Sequence, residues 1–228
     1  VVMNKIRIIM ICACLLLASL GVGAKSMKDL LVSMPDSLMP YLDKNLRQEM
    51  PELQEMGVKA EVKNLLGDNC VMDTLTADFL QIRMSKLSTL QVKKLPAEAG
   101  DSLLCVVKTF AGPEKESELY LFDQNWIPQN VSFALKSLNN CKDSLDVGMA
   151  LNSLATSLLQ KPDTMSEEHF LELKKMIEPK MVNAMLLPSE DAIVVRLSLP
   201  LLSAEDKQSV NAIKVQRKLK WNGKTFKE

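Results

Sequence analysis

The sequence predicts an α+β fold in which helices pack on antiparallel β-meanders. Three observations predict it. Apolar residues recur at helical spacing early in each half of the chain and at every second residue afterwards. The connections between the alternating stretches are short, which suits antiparallel neighbours, because parallel strands need crossovers of a dozen or more residues. Residues 102–126 and 191–221 also share one order: strand, acidic loop, strand, tryptophan, using the only two tryptophans in the chain. Helices before strands, twice over, belong to α+β rather than α/β proteins. The same order raises the expectation of two similar helix-then-sheet halves in tandem, 25–128 and 129–228, which can also pack as one domain.

The elements follow in order. Met27, Leu30, Leu31 and Met34 share one helical face, and Leu38, Leu42, Leu46 and Met50 continue at four-residue spacing. Pro35, Pro40 and Pro51 divide this stretch, because proline lacks the amide donor and crowds the preceding turn. Residues 27–56 therefore read as two or three short helices, Pro51 opening the last turn and Gly57 ending it in the left-handed position. The period then drops to two. Val58, Ala60 and Val62 alternate with Lys59, Glu61 and Lys63, and Gly67-Asp68-Asn69 makes a turn. Leu80, Ile82 and Met84 alternate with Gln81, Arg83 and Ser85. Further strands over 70–75, 89–95, 102–110 and 117–124 complete a meander of about six.

In the second half, Val131, Ala134, Leu135 and Leu138 share a helical face. Val147, Leu151, Leu154, Ala155 and Leu158 share another, stopped by Pro162. Thr164 and Glu167 have capping-box spacing ahead of a helix over 165–178, which Pro179 ends. Strands follow over 192–199 and 213–221, with 181–187 a third and SAEDKQS (203–209) an acidic loop between the other two.

The N-terminus reads as a signal peptide. Met3 is taken as the start, Lys5 and Arg7 form a positive region, and Ile8 to Leu20 is an apolar run. Val22-Gly23-Ala24 then supplies small residues for cleavage after Ala24. A membrane anchor needs about 20 apolar residues, and Gly21, Gly23 and Lys25 interrupt this one. Cys12 and Cys14 sit inside the run rather than at its end, where a lipid-acceptor cysteine belongs. The expectation is export to the periplasm or beyond, with no stable membrane span after cleavage.

Composition excludes several activities. Lys+Arg and Asp+Glu are both 28, so no net field favours nucleic acid. His169 is the sole histidine, and it lies among Glu167, Glu168 and Glu172, where a solvated surface group is the ordinary reading. With no G-x-S-x-G elbow and no histidine beside a nucleophile, triad catalysis has no support. Cys70, Cys105 and Cys141 are too scattered for zinc, and their odd number forbids a closed disulfide framework. Asn139, Asn140, Asp143 and Asp146 fail the calcium-loop template, since Cys141 and Ser144 occupy positions that need an oxygen ligand and a glycine. No glycine-rich phosphate loop is present, so no cofactor or metal is expected. Met27, Met34, Met39 and Met50 read either as core filling or as a methionine-lined groove.

The sizeable charge bias left is Lys214, Arg217, Lys218 and Lys220, continued by Lys224 and Lys227. Alternating lysines protect an exposed strand from pairing with other chains; the same cations could receive an acidic partner. Glu114 and Glu116, in the loop 111–117, complete the candidate interaction surface.

The phrases MKDLLVSMPDSLMPYLDKNLRQEM and LTADFLQIRMS, with the strand pair ending at Trp126, resemble a family of exported Bacteroidetes proteins, domain of unknown function 3256. The resemblance implies a Gram-negative source and export, and it carries no catalytic residue. The function expected is a non-enzymatic binding or interaction module of the cell envelope, with a protein or envelope polymer as partner. Two alternatives are a carboxylate-dependent hydrolase of such a polymer and an inhibitor that presents the loop 111–117.

Overall fold

The structure, a computed structural model, describes residues 25–98, 100–134, 151–177 and 179–228. The signal peptide, Cys141, the rejected calcium loop and most of the helical faces expected between 131 and 150 lie outside the described residues.

Seven strands form the first sheet in sequence order: β1 (Glu61–Lys63), β2 (Asn69–Leu75), β3 (Phe79–Arg83), β4 (Ser88–Pro96), β5 (Ser102–Ala111), β6 (Lys115–Phe122) and β7 (Pro128–Gln129). Every pair is antiparallel, with a bulge between Met72 and Thr74. The second sheet holds β8 (Phe133–Ala134), β9 (Met181–Leu186), β10 (Ala192–Ser198), β11 (Arg217–Trp221) and β12 (Phe226–Lys227), in the order β8-β12-β11-β10-β9. Its β12–β8 pair is parallel and the rest are antiparallel. The α+β class is as the sequence predicts, while the two sheets differ in strand number and order.

Helices α1 (Met27–Ser33) and α2 (Lys44–Glu55) cover one face of the first sheet. α1 starts on a capping box: Ser26 Oγ accepts from Asp29 N at 3.0 Å while Asp29 Oδ2 accepts from Ser26 N. α2 starts on Asp43, whose Oδ1 accepts from Leu46 N at 2.9 Å. Contrary to the expected break, α2 runs through Pro51. The ring removes one backbone bond, but Arg47, Met50 and Pro51 share the buried face that holds the helix in place. The predicted end is sound: Gly57 has φ +73°, Gly57 N donates to Gln54 O and Val58 N to Leu53 O, the paired bonds of a Schellman motif. Met27, Met34, Met39 and Met50 are all buried among Leu80, Ile82, Val92, Leu104 and Val106, so they fill core rather than line a groove.

The opposite face of the first sheet presents Phe79, Leu95, Cys105, Val107, Leu119 and Leu121 to a second core. Val182, Ala184 and Leu186 of β9, Ile193, Val195 and Leu197 of β10, and Trp221 and Phe226 complete it. Because both faces are covered, four successive residues of β5, Leu104 to Val107, are buried. The architecture is helix layer, sheet, sheet.

Several second-half expectations change. Val131 to Ala134 are extended, because Phe133 and Ala134 pair with Phe226 and Lys227. The stretch before Pro162 ends as a 3₁₀ helix, Asn152–Leu158. α3 (Glu167–Met176) begins at Ser166, whose Oγ accepts from His169 N at 3.2 Å, so Ser166 and not Thr164 is the cap. SAEDKQS is a helix rather than a loop: α4 (Ala204–Val210) is capped by Ser203, which accepts from Asp206 N at 3.1 Å, and is anchored by buried Val210. That helix takes up chain the sequence reading gave to the loop before a strand from 213, which shortens to β11.

The two tryptophans seal different cores. Trp126 lies edge-on to Phe122 (5.5 Å between centroids) under the helices, and Trp221 edge-on to Phe226 (4.9 Å) between the sheets. Trp126 also has φ +64°, in the left-handed region that bulky side chains rarely adopt. Asp123 Oδ1 fixes that loop by accepting from Asn125 N and Ile127 N.

Candidate functional site

The site begins with an edge problem. β9 is an edge strand, and an edge leaves amides and carbonyls unpaired. Side chains from the first sheet take them up. Ser117 Oγ accepts from Ala184 N at 3.0 Å, and Gln91 Oε1 accepts from Leu186 N at 3.0 Å. Lys93 Nζ donates to Pro188 O at 2.8 Å and to Asp78 Oδ2 at 2.7 Å. The Lys93 side chain is only 2% exposed, although lysine is rarely buried without partners. These contacts make a polar seam along which β9 crosses the first sheet.

The order along each strand places the seam between two environments. In β4, Leu95 is in the core, Lys93 and Gln91 are in the seam, and Thr89 lines a cleft. In β6, Leu121 and Leu119 are in the core, Ser117 is in the seam, and Lys115 lines the cleft. The cleft has a volume of about 280 Å³. One wall is the first sheet and the hairpin tip at Lys86 and Leu87; the other is Asn183, Met185 and Arg196 of the second.

Its polar groups are held in place. Gln91 Nε2 donates to Gln81 Oε1 at 2.8 Å, the Thr109 and Ser117 hydroxyls lie 2.8 Å apart, and Ser117 Oγ is 3.3 Å from Asn183 Oδ1. Three cations, Lys86, Lys115 and Arg196, stand exposed at the walls, and none is in an ion pair with another described residue. Among the described lining residues there is no carboxylate. The arrangement can bind a polar or anionic group; it offers neither a nucleophile–base pair nor two converging acids.

A second concavity, about 350 Å³ between α1 and α2, does hold two acids, Asp29 and Glu52. A general acid needs a raised pKa. Asp29 has the opposite: the Ser26 hydroxyl and backbone amide hold it below its ordinary value.

The candidate surface read from the sequence is divided by the fold. Lys214 is half-buried, and burial draws its pKa down against the attraction of Glu114. Glu114 pairs with Lys207 of α4 at 2.6 Å, so the 111–115 tip is tied back to the second half. Glu116 is half-buried opposite Phe110. Arg217 Nε donates to Ser157 O at 2.7 Å and the guanidinium pairs with Glu228. Lys218 pairs with Glu190 at 2.6 Å, and Lys220 is exposed. Register puts Lys218 opposite Val194 and Lys220 opposite Ala192, the strand face that also carries Arg196.

His169 is exposed, 3.5 Å from Glu172. Cys70 and Cys105 are free and buried, and burial pushes both thiols up in pKa. Among the described residues no group of three or more His, Cys, Asp or Glu could hold a metal, and no helix is long and apolar enough to cross a membrane.

The sequence reading missed Gln81, Gln91, Lys93, Ser117, Asn183 and Arg196. Their pattern is that of any strand's polar positions. One signal was present: the unbroken apolar run at 103–107 marks a strand covered on both faces, so polar residues beside it must meet a second layer.

No curated protein matches the chain. A solved structure described as a domain of an uncharacterized protein from Porphyromonas gingivalis W83 has the same fold, with a TM-score of 0.65 and 16% identity over 89% of this chain and 97% of that one. A family model matches residues 19–226, and the chain therefore belongs to the family described as "Protein of unknown function (DUF3256)".

Proposed function

We propose that this chain is an exported binding module without catalytic chemistry, and that the cleft beside the seam is its ligand site. One observation carries the reading: amides and hydroxyls fixed by a polar seam converge on one cleft with three exposed cations. Such groups orient a ligand without transferring protons to or from it. Export rests on the positive region, apolar run and small residues ahead of Lys25. A Bacteroidetes envelope, with a protein or polymer partner, is part of the same proposal.

The test uses the chain from Lys25 against envelope extracts and defined glycans and peptides, read by side-chain amide resonances of Gln81, Gln91 and Asn183. Saturable shifts at these amides, lost in Asn183→Trp at an unchanged melting temperature, are expected. Turnover of the bound compound would overturn the non-catalytic reading. For export, a cytoplasmic product that retains residues 1–24 in the native cell would be fatal.

A further inference from the structure

We infer that the cleft receives an acidic saccharide unit, a sugar ring bearing a carboxylate; this rests on the cleft being the ligand site. The charge comes first. Lys86, Lys115 and Arg196 arrive from a hairpin tip, the start of β6 and the middle of β10, and no described acid lines the space between them. All three line one cleft without a described counter-charge in the lining, and an anionic ligand would supply one. Arg196 adds geometry, since a guanidinium meets a carboxylate through two parallel hydrogen bonds.

The remaining lining selects hydroxyls. Gln81, Thr89, Thr109 and Asn183 each both donate and accept, as sugar hydroxyls do. Leu87 and Met185 give the ring's C–H face an apolar contact. The volume, about 280 Å³, lies near the lower end of small-molecule sites, of order 300 Å³, so the cleft holds one or two units rather than a long polymer segment.

An extended peptide is disfavoured by the seam. Peptides commonly add to a sheet edge through main-chain bonds, but Ala184 N and Leu186 N of the β9 edge are already taken by Ser117 and Gln91. The ligand must be recognised by side chains. Gln81, Thr109 and Asn183 stand on paired strands and are already hydrogen-bonded, so little ordering of these groups is needed on binding.

Titrations of the chain from Lys25 with galacturonate and its trimer, with galactose, and with acetate and inorganic phosphate decide the matter. Saturable shifts at the Gln81, Gln91 and Asn183 side-chain amides are expected with galacturonate, about tenfold tighter than with galactose or either simple anion. The double variant Lys115→Gln/Arg196→Gln should weaken galacturonate at least tenfold, a loss of about 1.4 kcal/mol. Lys220→Gln, at a site outside the cleft lining, should leave it unchanged. Higher salt should weaken binding, since the cations are exposed. Equal binding of galactose would overturn the acidic assignment and leave the binding-module reading in place. Equal binding of phosphate or acetate would overturn the saccharide assignment, and a peptide that shifts the cleft while uronates do not would overturn it too. Uronate binding indifferent to the double variant would place the ligand elsewhere and overturn the inference.

Discussion

The two faces of the seven-stranded sheet are covered by different chemistry. Under α1 and α2, the face is apolar from Leu80 to Val106, and short helices lie on it through side-chain packing. Under the second sheet, the face is divided into an apolar core, a polar seam and a cleft. The difference follows from what each layer presents. A helix satisfies its own backbone, so it can lie on an apolar surface. A sheet ends in an edge, and β9 reaches the first sheet edge included, so polar side chains must meet it. A helix layer makes a core, whereas a sheet edge makes a core with a polar border, and a ligand site can be built on that border.

The comparison breaks most readily on the helix-covered side. Leu104 of β5 is fully buried in that core, and Leu104→Ala should cost about 3 kcal/mol in urea unfolding, from lost transfer energy plus the cavity left behind. A loss under about 1 kcal/mol would show that the helices repack freely over the sheet. On the other face, Lys93→Met keeps the aliphatic stem but takes the ammonium from Pro188 O and from Asp78, which then keeps its bond from Thr76. About 1.5 kcal/mol is expected, the net worth of hydrogen bonds from a charged donor, because Pro188 is exposed and Asp78 half exposed, so water can take the donor's place. An unchanged or raised stability would mean that the seam is tolerated and not stabilising. Ser117→Ala, which strips Ala184 N of its acceptor, should cost about 1 kcal/mol and quicken amide exchange at Ala184. Exchange at Ala184 no faster than at its neighbours would remove Ser117 from the seam.

The same contrast explains what could be read from the sequence. The helix-covered face was legible because both partners carry periodic signals: Met27, Leu30, Leu31 and Met34 on α1, and alternating apolar residues on β3. Capping and end signals were local too, as Gly57 shows. The seam was not legible. Gln91 and Lys93 look like the solvated positions of a half-buried strand, and only the arrival of β9, some 90 residues later in the chain, buries them. Pairing of Glu114 with Lys207 is non-local in the same way, and with the pairs Arg217–Glu228 and Lys218–Glu190 it leaves the acidic loop and the basic strand mostly occupied within the molecule. The α4 helix is a different failure. Its Ser203-x-x-Asp206 cap was present in the sequence, but with only Val210 buried it carried no apolar stripe to mark it as helical.

The finest test of the contrast is acid, since an ion pair, Lys93 with Asp78, stands in the seam. Asp78 is partly buried, which acts to raise its pKa, but hydrogen bonds from Lys93 and Thr76 outweigh that and hold the carboxyl below 3.8. A depressed carboxyl contributes stability that is complete above its unfolded value and is lost as pH falls through the folded one. The Asp78 contribution should therefore be constant near neutral pH and fade below pH 3.8. Asp78→Asn keeps an acceptor for Thr76 and removes the charge facing Lys93, while Asp191, at 3.8 Å, remains as a weaker counter-charge. The difference in unfolding free energy between wild type and Asp78→Asn should be small, because Asp78 is half exposed and solvent screens the pair. It should shrink further as the solution is acidified, and Leu104→Ala measured alongside should show a difference that acid leaves alone. An Asp78→Asn difference that stays constant through the same range would place the stabilising power of the seam in its neutral hydrogen bonds, from Ser117 and Gln91, and leave Lys93 as a donor to Pro188 whose charge contributes nothing to the packing of the two sheets.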